Sequence, residues 1–339
     1  MAYLYKMILV TGATGLVGSH LLLHLLENEK NVCAIYRNKN QINKTKNLFD
    51  LYQKSDLFSK INWIKADITD VPSLEIAFRD VTFVYHCAAY ISFDPKKEDQ
   101  LRKNNIEGTA NIVNFCLAKK IQKLCYVSSI AALGDILDHE KITTETTEWN
   151  PEKPNSDYAI SKFGAEMEIW RAQQEGLQVV IVNPGVILGA GFMENGSGQI
   201  FSKVKNGLKY YTLGSTGFVS VWDLVKIMKL LMQFEVTGER FSVISENVTY
   251  KDLVFNIAEA YQVKPPKIYA SEFMTNIASK LDWISSTVFG TERKLSLYLS
   301  RSLHHKEVIS NKKISDLLHF EFEPLQLTIQ KIVKLDLKK

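Results

Sequence analysis

Tyr158 and Lys162 stand four residues apart in the run Tyr158-Ala159-Ile160-Ser161-Lys162. On a helix that spacing stacks a phenol and an ammonium on one face. A phenol ordinarily titrates near ~10, and an adjacent cation favours the phenolate, bringing proton transfer within reach of neutral pH. The pair can therefore serve as an acid-base catalyst. The same spacing also suits an aromatic ring packed under a lysine stem, so the chemistry needs support from the rest of the chain.

That support begins at the N-terminus, in Thr11-Gly12-Ala13-Thr14-Gly15-Leu16-Val17-Gly18. The loop falls between an apolar strand and an apolar helix, where a dinucleotide pyrophosphate needs close backbone approach and a helix N-terminus. Gly12 permits the tight turn, Gly15 lets the backbone reach the phosphates, and Gly18 lets helix and strand pack closely. The second strand ends Ala34-Ile35-Tyr36-Arg37 without a carboxylate. An acid there would hold the ribose hydroxyls of NAD, whereas Arg37 is placed to pair with the 2′-phosphate of NADP. NADP(H) is the favoured cofactor, with NAD(H) the alternative. Asp67-Ile68, after the third strand, could address the adenine ring or form a surface turn.

The elements that must position these residues follow from alternating patterns. Short apolar runs at Met7 to Thr11, Val32 to Tyr36, Ile61 to Ala66, Phe83 to Cys87 and Leu124 to Ser128 are separated by helical stretches. Such βαβ alternation predicts an α/β fold, a doubly wound parallel sheet of Rossmann type. One helix is expected from about Glu98 to Lys119. Another begins at Ser156 or Asp157, both good caps, and closes before Gly176. A strand from Gln178 to Val182 should end at Asn183-Pro184-Gly185, where proline stops the pairing. After Gly185 the glycines multiply, and loops with short helices that could form a lid are expected. The domain reading is a dinucleotide-binding domain over 1–185 and a smaller, mostly helical substrate-binding part over 186–339, with 220–245 returning to the sheet. Phe218 to Val236 reads as a buried amphipathic helix and Thr249 to Tyr261 as another. From Ser271 onward the chain looks helical and carries no recognisable chemistry.

Composition removes several classes. The 339 residues, 46% hydrophobic and 23% charged, carry a formal net charge of only +4, which indicates neither disorder nor a nucleic-acid partner. Cys33, Cys87, Cys116 and Cys125 sit in apolar runs without ligand spacing; no metal site or disulfide framework is expected, and reduced thiols point to the cytoplasm. No signal peptide or spanning segment is seen, so a membrane partner is not expected.

Several motifs, in order, give the chain a family resemblance. The TGATGLVG loop at Thr11, His86-Cys87-Ala88-Ala89, Asn105-Ile106-Glu107-Gly108-Thr109, Tyr126-Val127-Ser128-Ser129, YAISK at Tyr158 and Asn183-Pro184-Gly185 resemble those of the extended short-chain dehydrogenase/reductases. This group is also called the NAD-dependent epimerase/dehydratase family, and the likeness is to its dihydroflavonol 4-reductase-like and 3β-hydroxysteroid dehydrogenase-like branch. It spans roughly the first 245 residues. It implies that Tyr158 is the general acid-base, that Lys162 binds the nicotinamide ribose and lowers the tyrosine's pKa, and that Ser129 hydrogen-bonds the substrate oxygen, with Ser128 the second candidate. It also implies that Asn105 supports a helix kink or a proton path, and that Ala88, Ala89 and Pro184 join the cofactor site.

Hydride transfer to a carbonyl builds negative charge on oxygen, which two donors, Ser129 and Tyr158, would stabilise while Tyr158 delivers the proton. The main expectation is a reductase of ketones or aldehydes, equivalently a secondary-alcohol dehydrogenase, taking a bulky, partly apolar small molecule. Thr216 stands where the sugar-nucleotide branch commonly carries an arginine that grips the diphosphate. Tyr90, Phe93, Phe192, Tyr210, Tyr211 and Phe218 are candidates to line an apolar pocket. The alternatives are a nucleotide-sugar epimerase or dehydratase with tightly bound NAD, and a non-enzymatic NADP sensor. By analogy with the fold class, Glu98 to Lys119 and Ser156 to Glu175 would pair two copies in a homodimer; a monomer fits equally well.

Overall fold

The computed structural model describes residues 6–29, 31–134, 141–288, 293 and 295–338. Most of the apolar runs become strands because they are buried on both faces, which only a parallel sheet covered by helices on both sides allows; the edge run Asn62–Lys65 is the exception, with both ends exposed. In chain order they are β1 (Met7–Thr11), β2 (Val32–Tyr36), β3 (Asn62–Lys65), β4 (Val81–His86), β5 (Lys123–Val127) and β6 (Gln178–Pro184). The later strands are β7 (Val186–Leu188), β8 (Tyr210–Tyr211), β9 (Ser215–Ser220), β10 (Glu239–Val243), β11 (Glu246–Thr249) and β12 (Ile268–Tyr269). Seven of them form one sheet in the order β10-β6-β5-β4-β1-β2-β3, parallel throughout. This is the doubly wound α/β architecture, Rossmann-like, with a largely helical C-terminal part.

Successive side chains of a strand point to opposite faces, and β1 illustrates the result. Ile8 and Val10 face a core made by Leu21, Leu22 and Leu25 of the helix Leu16–Leu26 and by Leu224, Ile227 and Met228 of the helix Val221–Gln233. Leu9 faces the other core, with Ile112, Val113 and Cys116 of the helix Gly108–Ala118 and Ala165 and Ile169 of the helix Asp157–Gln174. The strand order reverses beside β1, whose neighbours are β2 and β4. An open α/β sheet binds its ligands at that point, outside the carboxyl ends of the strands.

Three local expectations are corrected. β6 does not stop at Val182 but runs through Pro184, paired with Val243 of β10. Proline lacks only its own donor, and the Gly185 amide reaches the Val243 carbonyl at 3.3 Å, so the edge pairing survives. The stretch after Gly185 is not mainly loops: β7, β9 and β11 form a second sheet, and β8 pairs with β12. Phe218 belongs to β9, and the helix starts only at Val221, where the Ser220 hydroxyl accepts from the Trp222 amide at 3.2 Å. A third core, with Leu188, Phe201, Phe218, Leu253, Ile257 and Ile329, joins this sheet to the helices Tyr250–Tyr261 and Leu325–Asp336.

Candidate active site

The helix carrying the tyrosine and lysine starts because Ser156, in an extended conformation, accepts a hydrogen bond from the Ala159 amide at 3.1 Å. Ser156, not Asp157, is therefore the cap. Tyr158 falls in the first turn, partly buried, with Lys162 one turn deeper and 1% exposed. Ser129 leaves β5 at its carboxyl end, where its hydroxyl accepts from the Ala131 amide at 3.2 Å and hydrogen-bonds the Tyr158 phenol. The neighbouring serine turns inward, and the Ser128 hydroxyl donates to Glu166 Oε2 at 2.7 Å. The structure thus separates the two candidates: Ser129 meets the phenol and Ser128 does not. Phe93 packs edge-on against the Tyr158 ring, with centroids 5.8 Å apart.

The resemblance implies that Lys162 lowers the tyrosine's pKa, whereas the phenol stands above its ordinary value in this structure. Burial raises the Tyr158 phenol above its ordinary value, with the Ser129 hydrogen bond pulling the other way. The reason is direction: Lys162 Nζ donates to the Tyr126 hydroxyl and to the Val127 carbonyl, both at 2.8 Å. Burial also pushes Lys162 down to about 7, against the attraction of Glu166. Beneath it lies a buried polar chain in which Thr109 hydrogen-bonds Tyr126 and meets His86 Nε2 at 3.0 Å. His86 Nδ1 in turn lies 2.6 Å from Thr11 Oγ1. Burial drives His86 down to about 3, so this imidazole is neutral in the folded chain at working pH.

Glu166, one further turn along and fully buried, accepts from Ser128, from Asn183 Nδ2 at 2.9 Å and from Arg240 Nη1 at 2.9 Å. Arg240 also donates to the Glu145 carbonyl at 2.9 and 2.6 Å, tying β10 to the chain that leads into the tyrosine helix. The sequence assigned no role to Glu166 or Arg240, and named Tyr126 and Thr109 only as members of motifs. Glu166 did carry a signal, because it follows Lys162 by four residues on the same helix face.

Asn105 lies in a π-helical turn, Arg102–Glu107, and its amide is used as a clamp. Oδ1 accepts from the Tyr90 amide at 2.7 Å, and Nδ2 donates to the Tyr90 carbonyl and to Ser161 Oγ, both at 2.9 Å. It braces the kink and the tyrosine helix from behind. Of the six proposed pocket aromatics, Phe192 and Phe218 are withdrawn, being 7% and 0% exposed. Phe218 fills the third core. Tyr211 packs on Phe255 and Tyr269; of the remaining Tyr90, Phe93 and Tyr210, Phe93 packs against the Tyr158 ring.

The glycine loop has the geometry a dinucleotide needs. Gly12 has φ +64°, and a Cβ there would lie 2.6 Å from the Ala88 amide nitrogen; at Gly18 it would lie 2.3 Å from the Gly12 carbonyl. At Gly15, which is exposed, it would meet only that carbonyl, at 3.4 Å. Gly15 caps the helix Leu16–Leu26 without a side-chain hydrogen bond, so first-turn amides such as those of Leu16 and Val17 remain available to an anion. Thr14 borders them. Across the crevice, the Ala88 amide donates to Thr11 Oγ1 at 3.2 Å, and Ala89 is exposed. Arg37 is 59% exposed, held by Asn104 Oδ1 at 3.1 Å and 4.0 Å from Asp67. Asp67 is occupied by the Thr69 amide and hydroxyl, and Ile68 is buried against Gly108. Pro184 is buried at the end of β6, beside Asn183, whose Oδ1 has no protein donor. These residues fit a pyridine dinucleotide.

Fold and site together define a pyridine-nucleotide enzyme acting on CH–OH or carbonyl groups. Residues 8–244 match the model of the NAD dependent epimerase/dehydratase family, and the chain belongs to that family. It is 28% identical over 264 residues to a putative dihydroflavonol 4-reductase of Synechocystis, covering 76% of this chain and 73% of that one. It is 29% identical over 276 residues to anthocyanidin reductase of Arabidopsis thaliana, covering 74% and 79%. The structure of Thermus thermophilus UDP-glucose 4-epimerase in complex with NAD superposes with a TM-score of 0.71 at 21% identity, covering 97% and 98%. Among the described residues no group of His, Cys, Asp or Glu could hold a metal ion, and no helix is long and apolar enough to cross a membrane.

Proposed function

We propose that the chain is an NADP(H)-preferring reductase of a ketone or aldehyde, or in reverse a dehydrogenase of the secondary alcohol, on a bulky and partly apolar small molecule. The observation that carries the reading is the meeting of the Ser129 and Tyr158 hydroxyls at the carboxyl edge of the sheet, with Lys162 buried one turn behind. The bound nicotinamide supplies or accepts the hydride. Ser129 and Tyr158 donate hydrogen bonds to the substrate oxygen as charge develops on it, and Tyr158 passes its proton to that oxygen. Because burial holds the phenol above its usual pKa, the acid form needed for reduction is present throughout the neutral range. The Phe93 ring beside Tyr158 supports an apolar substrate.

Two features support the finer choices. Arg37 presents an exposed guanidinium at the end of β2, the place where the adenosine ribose is read. Thr216, at the position of the diphosphate-gripping arginine, is 6% exposed and donates to Glu307 at 3.3 Å, which suits a substrate without a nucleotide. The reductase names of the two curated relatives agree with this choice. A screen of aryl and alicyclic carbonyl compounds with NADPH and NADH tests it. Turnover that prefers NADPH is expected; conversion of UDP- or dTDP-sugars by protein purified with bound NAD would replace the reading with the epimerase alternative.

A further inference from the structure

The helix Glu272–Val288 is inside out. At 100° per residue, Phe273, Ile277, Leu281, Ile284 and Val288 fall on one arc, and their exposures are 73, 42, 60, 48 and 66%. The opposite arc, turned into the protein, carries Thr275, Ser279, Asp282 and Ser286, of which the three hydroxyl residues are 7, 1 and 1% exposed. That inner face is held by polar contacts. Thr275 Oγ1 lies 2.9 Å from His304 Nε2, Ser300 Oγ lies 2.9 Å from both Thr275 Oγ1 and Asn276 Oδ1, and Asp282 accepts from the Leu295 amide at 3.0 Å. Leu297 and Tyr298, on the short helix packed against it, are 42 and 40% exposed. Soluble chains rarely leave so large an apolar patch to water, and one of this size marks an interaction surface.

We propose that this face docks on an anionic lipid surface, lying in the headgroup boundary without crossing it. Charge selects this occupant. Among the described residues between 264 and 306, five cationic side chains are exposed, Lys264, Lys267, Lys280, Arg301 and Lys306, against one exposed acid, Glu272. Lys280 sits at the edge of the apolar arc itself, where a protein interface disfavours lysine but a bilayer lets its stem lie among acyl chains while the ammonium reaches the phosphates. Trp283, 54% exposed, lies on the flank of the helix beyond Lys280 and can report contact of that side with lipid. The helix itself also lies near the site. Lys96 Nζ donates to the Ser286 carbonyl at 3.3 Å, which places this helix beside the loop bearing Phe93 and Ile91, 41 and 60% exposed. The absence of a spanning segment had argued against a membrane partner, but lying on a surface is a separate property from crossing it.

The test is co-sedimentation of the full chain with vesicles of phosphatidylglycerol and phosphatidylcholine in equal parts, and of phosphatidylcholine alone. Binding to the anionic vesicles is expected, weakened by 0.5 M salt on the order expected from screening, with a blue shift of tryptophan emission that vanishes in Trp283→Phe. The double variant Phe273→Ser/Leu281→Ser should cut the partition coefficient at least tenfold with an unchanged thermal midpoint, since both side chains are already in water. Lys280→Glu should weaken binding several-fold to the anionic vesicles only. Absence of binding to the anionic vesicles overturns the proposal. So does a lipid-free dimer that the double variant converts to monomer without any vesicle binding, an outcome that assigns the face to a second copy of the chain.

Discussion

Replacing Glu166 by Gln keeps the side-chain shape and removes one buried charge from beneath Lys162. Two consequences follow from the distances. Arg240 Nη1 loses its carboxylate partner at 2.9 Å; breaking a buried pair costs about 3–5 kcal/mol, reduced to about 2–3 here because Arg240 is partly exposed and keeps the Glu145 carbonyl. Lys162 loses the attraction that opposes its burial. The Lys162 pKa should therefore fall further below about 7. Urea unfolding at pH 7 should show the lost stability. The pH profile of kcat/KM, which reports groups of the free enzyme, should have its alkaline limb displaced to lower pH, because the ammonium is lost sooner. An unchanged urea midpoint together with an unmoved profile would refute the reasoning that Glu166 sustains both Arg240 and the Lys162 charge.

Two further outcomes are expected. Arg37→Asp should reverse cofactor preference, raising the NADPH Michaelis constant at least tenfold relative to that of NADH; an unaltered ratio means that the 2′-phosphate is held elsewhere. Acid should destabilise the fold through His20 and His86, whose pKa values burial lowers to about 4 and about 3. The unfolded chain binds protons at these sites from about 6.5 downward while the folded chain does not, so their stabilising contribution is full above 6.5 and lost as pH falls toward the folded values. Between pH 7 and pH 5 each should contribute roughly 2 kcal/mol of lost stability, read by urea unfolding, and His86→Asn should remove about half of that pH dependence.

What the residues disclosed in advance was local in the chain. The loop from Thr11 to Gly18 needs only neighbouring residues to specify a strand, a turn and a helix start, and Tyr158 and Lys162 need only one helix to share a face. Ser129 already ranked ahead of Ser128 in sequence, but that the Ser128 hydroxyl turns to Glu166, 38 positions away, depends on the fold. The Glu166–Arg240 pair spans 74 positions and exists only because β10 joins the sheet beside β6. Lys162's direction was missed because helix spacing fixes the face of a residue and not the partner at the end of a long side chain, here Tyr126 across 36 positions. The apolar period of Glu272–Val288 was visible, but periodicity alone does not tell which arc faces inward. In that helix the usual assumption fails, because Thr275, Ser279 and Ser286 form the inner side.

The central claim is that Tyr158 moves the proton while the glycine loop and Arg37 hold the cofactor independently of it. Tyr158→Phe tests both halves, with NADPH binding followed by nucleotide fluorescence and turnover followed on the best carbonyl substrate of the screen. The account predicts a dissociation constant within about threefold of the parent and a kcat lower by about 10²–10⁴, the usual worth of a positioned acid-base group. Turnover retained within tenfold, with binding intact, would contradict it and remove Tyr158 from the chemistry.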